Sequence, residues 1–148
     1  MLGGLPDDSI TRLSTTKNNN LFNNIRVYPS HTEEILSIKT YKKLIITGSR
    51  DHNICIFDLD TNNVIHTLIG HNSRVTCLDI IEYENDFRII SGFDDTTLRI
   101  WNLTTEICEH ILYGHSDNIN CITTLYDKMI VSSSFDGTLR IWKYNQSI

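Results

Sequence analysis

"FDDTTLRIW", from Phe93 to Trp101, and "FDGTLRIW", from Phe135 to Trp142, are nearly one phrase written twice. In a chain of 148 residues such a duplication asks to be read as a repeat before it is read as chemistry. Two landmarks extend it. Asp51, Asp95 and Asp136 each stand six residues before an aromatic residue, Phe57, Trp101 and Trp142, and four residues after a hydroxyl, Thr47, Ser91 and Ser132. "GHNSRVTCL" (Gly70–Leu78) and "GHSDNINCI" (Gly114–Ile122) share Gly-His and place apolar residues four and seven positions after the histidine. "SHTEEILSI" (Ser30–Ile38) has the same pattern with serine for glycine. The histidines His31, His71 and His115 are 40 and then 44 residues apart, and His71 follows Asp51, as His115 follows Asp95, by 20.

Each unit also has the hydrophobic rhythm of short strands. Within residues 71–114, "RVTCLDII" and "TLRIWNL" alternate, "FRIISG" is a short apolar run and "EICEHILY" closes the unit. Turn residues separate them at Glu84-Asn85-Asp86, Phe93-Asp94-Asp95 and Leu103-Thr104-Thr105. Composition agrees. The chain has no alanine, the best helix former, and is rich in isoleucine and threonine, which suit a pleated surface. An AT-rich genome explains that composition equally well; the periodicity does not depend on it. The expectation is an all-β fold of four-stranded antiparallel blades, about three of them.

The Gly-His openings and aromatic closings resemble the WD-repeat (WD40-type) β-propeller family over about residues 25–144. The closing pairs are Phe57-Asp58, Trp101-Asn102 and Trp142-Lys143, so the first repeat departs most from the pattern. The resemblance implies repeats at about 31–70, 71–114 and 115–148, with 21–28 as an extra outer strand and 1–20 as an N-terminal extension. It implies a hydrogen-bonded set in each blade: His71, Ser91, Asp95 and Trp101; His115, Ser132, Asp136 and Trp142; and a degraded His31, Thr47, Asp51 and Phe57. An indole N–H donates to the hydroxyl, the hydroxyl to one imidazole nitrogen, and the other nitrogen to the carboxylate. Phe57 has no such donor, so its blade lacks one bond, worth roughly 0.5–1.5 kcal/mol.

Three copies at fixed spacing argue for architecture rather than for a hydrolase built on Ser, His and Asp, because an active site is needed once. The resemblance implies a non-enzymatic scaffold whose protein partners dock beside the aspartate turns, at Arg50, Asp94 and Phe135, and beside the first strands, at Glu34, Arg74 and Asn118. Phe93 and Phe135 are expected to pack at the edges of their blades, with an exposed Phe135 as the alternative. The stems of Arg99 and Arg140 are expected to lie over neighbouring strands.

Net charge is −5, and residues 71–114 hold three arginines against eight carboxylates, so no basic patch points to nucleic acid. Cys55, Cys77, Cys108 and Cys121 have no C-x-x-C spacing, which speaks against a metal or redox motif; buried, reduced thiols are expected. No cofactor, metal or membrane partner is expected, and the first residues, MLGGLPDDSI, do not read as a secretory signal, so a cytoplasmic or nuclear setting is expected. "DDSITRLS" (Asp7–Ser14) reads either as an eroded strand or as the start of a short helix. Three blades are fewer than the four to eight a closed ring typically holds, so the expectation is an open or truncated propeller, half of a homodimeric ring, or a ring completed by another protein.

Overall fold

A computed structural model describes residues 25–143. Eleven strands form three antiparallel sheets among them. The first sheet is β1 (Ile35–Tyr41), β2 (Leu44–Ser49), β3 (Ile54–Asp58) and β4 (Asn63–Leu68), paired in that order. The second is β5 (Val75–Glu82), β6 (Phe87–Phe93), β7 (Leu98–Asn102) and β8 (Ile107–Leu112), again in order. The third is β9 (Ile119–Leu125), β10 (Met129–Ser134) and β11 (Leu139–Lys143). These are the blades read from the sequence, one per repeat. The expected outer strand at 21–28 is not seen in its described part, because Ile25–Tyr28 carry no strand. The readings of residues 1–20 and of the chain after Lys143 lie outside the described residues.

The recurring sequence positions produce recurring backbone. At each first hairpin the register shifts once, between Ile35 and Ser37, Val75 and Cys77, and Ser133 and Ser134. In the first two blades it shifts again just before the aromatic, between Ile56 and Phe57 and between Ile100 and Trp101. Such bulges re-aim a side chain, here the aromatic ring. The turn after each aspartate needs a left-handed residue, and His52, Thr96 and Gly137 supply it with φ of 73°, 72° and 79°. Only the glycine adopts that region without steric cost. At the end of the third strands, Asp58 accepts the backbone N–H of Asp60 and Asn102 accepts that of Thr104, which closes those turns.

The core lies between blades. Ile46, Ile54 and Ile56 of the first blade pack on Val75, Leu78 and Ile89 of the second. Cys77, Ile90, Leu98 and Ile100 of the second pack on Ile119, Ile122 and Ile130 of the third. Because both faces of the second blade are covered, its strand β6 is buried along its whole length. Close approach of the sheets explains two glycines. A Cβ on Gly48 would lie 2.5 Å from Val75, and one on Gly92 2.6 Å from Cys77 and 2.7 Å from Ile119. Polar ties cross the same seams: Lys39 pairs with Asp79 at 3.1 Å, and Asp79 accepts the backbone N–H of Thr124. Among the described residues no helix is long and apolar enough to cross a membrane.

Candidate functional site

The third blade holds the complete hydrogen-bonded set. Trp142 Nε1 donates to Ser132 Oγ at 2.9 Å, Ser132 Oγ lies 2.8 Å from His115 Nε2, and His115 Nδ1 lies 2.8 Å from Asp136. With the ring proton on Nδ1, every member is satisfied. Asp136 also accepts from the backbone N–H of Ser116 and from Thr138. The Thr138 hydroxyl, opposed by partial burial and aided by His115 and these N–H groups, holds its carboxyl well below the usual range. Gly114 lets Arg140 and Trp142 come close: a Cβ there would stand 2.9 Å from the Arg140 guanidinium and 3.0 Å from the Trp142 ring.

The first blade keeps the same chain without its indole. His31 Nδ1 reaches Asp51 at 2.9 Å and Nε2 reaches Thr47 at 2.8 Å. Tyr28 packs its ring on Phe57, with centroids 5.2 Å apart. Burial works against the charge on Asp51, but the N–H groups of Asn53 and Thr32 and the His31 ring together lower its pKa.

The middle blade corrects the expectation from the repeat. Trp101 donates to Ser91 at 2.8 Å, but His71 joins neither Ser91 nor Asp95. Both of its ring nitrogens are buried without a partner. The ring instead stacks on Phe93, with centroids 3.4 Å apart and planes 18° from parallel. Asp95 turns to Thr97 and takes its own backbone N–H bond to Ser73. Burial, with Arg99 and His52 adding repulsion, pushes the His71 pKa down to about 3.

The cause is legible once the repeats are aligned on aspartate. Two residues before it stand Ser49, Phe93 and Ser134. Ser49 and Ser134 accept the N–H of Asp51 and Asp136 and donate to the carbonyls of Glu33 and Asp117. A fully buried phenylalanine takes that place in the middle blade and stacks on the histidine ring, where a serine would cap the aspartate turn. Aligning the phrases on their phenylalanines hides this, because Phe93 and Phe135 are not equivalent. Phe93 is core, not blade edge, whereas Phe135 is 69% exposed.

Chemically, Ser132, His115 and Asp136 have the connectivity of a hydrolytic triad. Ser132 is nevertheless fully buried, and its oxygen already receives the Trp142 N–H. A substrate carbonyl has no approach to that oxygen. All four cysteines are free. Cys55 and Cys77 are buried as expected, and burial pushes the Cys77 thiol up to about 12. Cys108 is half-buried and Cys121 is exposed, no further blade covering its face among the described residues.

The six candidate docking residues fall into three pairs, one at the same corner of each blade. The backbone N–H of Arg50 bonds the carbonyl of Glu34 at 2.9 Å, that of Asp94 the carbonyl of Arg74 at 3.4 Å, and that of Phe135 the carbonyl of Asn118 at 3.0 Å. Arg50 also pairs with Glu34 through side chains at 2.9 Å, and Arg74 with Asp94. The Glu34–Arg50 pair is exposed and contributes at most about 1 kcal/mol, so it is free to exchange partners, whereas Arg74–Asp94 is half-buried. Arg99 reaches back to the carbonyl of Gly70 at 2.7 Å and lies over Phe93, in line with its expected packing.

Comparison with known proteins agrees with this architecture. The family model described as "WD domain, G-beta repeat" matches residues 22–58, 62–102 and 106–143. The chain belongs to the WD-repeat family. Its WD repeats are 40% identical over 42 residues to cell division control protein 4 of Saccharomyces cerevisiae, covering 28% of this chain and 5% of that protein. They are 34% identical over 50 residues to a p21-activated protein kinase-interacting protein 1-like protein of Gallus gallus, covering 34% and 14%. They are 41% identical over 66 residues to the probable di- and tripeptidase DUG2 of Saccharomyces cerevisiae, covering 38% and 8%. The chain thus spans only a small part of these relatives.

Proposed function

We propose that this WD-repeat chain is a non-enzymatic interaction scaffold that binds another protein on the rim formed by its aspartate turns. The observation that carries the reading is the contrast within that rim. Two corners are ion pairs, Glu34–Arg50 exposed and Arg74–Asp94 half-buried, while the third presents the exposed Phe135 opposite the uncharged Asn118. An aromatic anchor flanked by polar groups is the usual composition of a binding hot spot. The name of the avian relative, an interacting protein, is in keeping with a binding role for such repeats.

The peptidase relative raises the opposite reading, a hydrolase. The buried Ser132 hydroxyl and the repetition of the set in a second blade favour scaffolding. The net charge of −5 and the acidic middle repeat disfavour a nucleic-acid partner. Four free cysteines suit a reducing, intracellular setting, cytoplasmic or nuclear.

The test is site-specific photocrosslinking in cells, with a benzophenone side chain at Phe135 and, as control, at the exposed outer-strand position Ile65. The expected result is a discrete adduct with another protein from position 135, weakened by Arg50→Glu, and none from position 65. Equal labelling at both positions would overturn the assignment of the rim.

A further inference from the structure

Strand β1 begins beside Glu34 on the aspartate rim and ends at Tyr41, so the β1–β2 and β5–β6 turns stand at the opposite end of the blades. There a groove of about 500 Å³ opens between the first and second blades, at a seam that lies wholly within the described residues. Its floor is aromatic. The Tyr41 and Phe87 rings meet with centroids 4.2 Å apart, and Leu44 packs on the same cluster. Exposed Lys42, Asn85 and Thr104 stand at its mouth. An apolar floor with a few polar groups around it is the composition of a ligand site.

The charges of this groove are committed except at one residue. Lys43 holds both oxygens of Asp60, at 2.8 and 2.7 Å, and Asp86 is taken up by Arg88 and the backbone N–H of Phe87. The Lys42 ammonium lies 5.0 Å over the Tyr41 ring and pairs with no carboxylate among the described residues. A cation over a ring keeps its outer side open to an anion. A second groove, of about 660 Å³, meets the first at Asn85, which lines both, and runs past Glu82 and Glu84 to Lys128 of the third blade. Its sign is opposite. Lys128 lies 4.4 Å over the Tyr83 ring, and Glu82, Glu84 and the neighbouring Asp127 have no cationic partner among the described residues.

We propose that this end of the blades binds an extended segment of another protein that carries a large apolar side chain beside a carboxylate and basic residues toward one end. The apolar side chain enters the first groove against Tyr41 and Phe87, and the carboxylate next to it meets Lys42. The basic end lies over Glu82, Glu84 and Asp127. The change of sign along the joined grooves selects this occupant. A wholly acidic segment is repelled by the second groove, and a wholly basic one meets Lys42 at the first. The aromatic floor supplies affinity, and the charges set the orientation of the segment.

The test is selection of a displayed library of random short peptides on the full chain, followed by anisotropy titration of the peptides that enrich. These are expected to carry Asp or Glu next to Phe, Leu or another large apolar residue, with Lys or Arg toward one end. Lys42→Glu is expected to raise their Kd roughly fivefold or more, as for reversal of an exposed ion pair. Lys42 stands at φ 52°, which glycine adopts easily, so Lys42→Gly removes the charge without strain and is expected to weaken binding less than Lys42→Glu. Replacing the peptide's acidic residue by lysine is expected to weaken binding to the wild type and to restore binding to Lys42→Glu, an exchange that a merely structural lysine would not show. Thr104 is exposed, so Thr104→Trp fills the groove from its mouth with the fold intact and is expected to abolish binding. Circular dichroism checks the fold of each variant. A library that enriches nothing, enriched peptides without the acidic and apolar pair, or peptides indifferent to Lys42→Glu or to Thr104→Trp would each overturn the proposal.

Discussion

The second and third blades share a sequence grammar and differ in what it builds. In the third, serine at position 134 caps the aspartate turn, and Trp142, Ser132, His115 and Asp136 connect. In the second, phenylalanine at position 93 fills that cap position, and only the Trp101–Ser91 bond remains. The difference shows two ways to fill one blade corner. The third blade satisfies its buried histidine by hydrogen bonds, and the second desolvates it against an aromatic ring. The second blade tolerates this because both its faces are covered, so apolar area offsets the lost bonds.

The largest test removes the wedge. Phe93→Ala is expected to cost about 3–5 kcal/mol, as for any fully buried phenylalanine. Phe93→Ser is expected to cost about 1–2 kcal/mol less than Phe93→Ala, despite its polarity, because the serine can cap Asp95 and release His71 to the chain of bonds. Denaturant unfolding of the two variants measures this, and a serine variant no better than alanine would break the comparison. The same pair changes the pH response. Native His71 takes up its proton only near pH 3, whereas the unfolded chain takes it up near 6.5. Protons therefore favour unfolding below pH 6.5, and wild-type stability should fall as pH drops from 6.5 toward 3, by at most about 1.4 kcal/mol per unit. Asp51 and Asp136, both held low, lose their contribution only at the acid end of that range. Phe93→Ser should flatten the upper part of the slope.

A smaller contrast separates the hydroxyls. Ser132→Ala leaves both His115 Nε2 and the Trp142 N–H without partners and is expected to cost about 2–3 kcal/mol. Ser91→Ala orphans only the Trp101 N–H and should cost about 1 kcal/mol. Equal losses in thermal or denaturant unfolding would mean that His71 is bonded after all. The smallest expected effect is at the turn. Thr96 is a β-branched residue at φ 72°, where the third blade has Gly137 at φ 79°. Thr96→Gly should stabilise by about 0.5–1 kcal/mol, and Gly137→Thr should destabilise by at least as much.

The repeat was legible in the sequence because blades are local. Each strand pairs with its neighbour in the chain, so alternation, turns and the His-to-Asp spacing mark all eleven described strands without knowledge of distant contacts. That the six residues of the rim meet as three pairs, as Arg50 does with Glu34 across one hairpin, is seen only in the structure. Phe93 was misread because a motif match records residue type and not the volume around it. The exposed Cys121 was misread because its burial depends on a following blade, not on its own strand.

By itself, then, the sequence determined the blade, its turns and the candidate bonding sets, all of which arise from neighbours within one repeat. The tertiary structure decided which set is joined and that Phe93 is core while Phe135 is surface. Those outcomes depend on how sheets approach one another, which is set by close packing between repeats rather than by the periodicity within one.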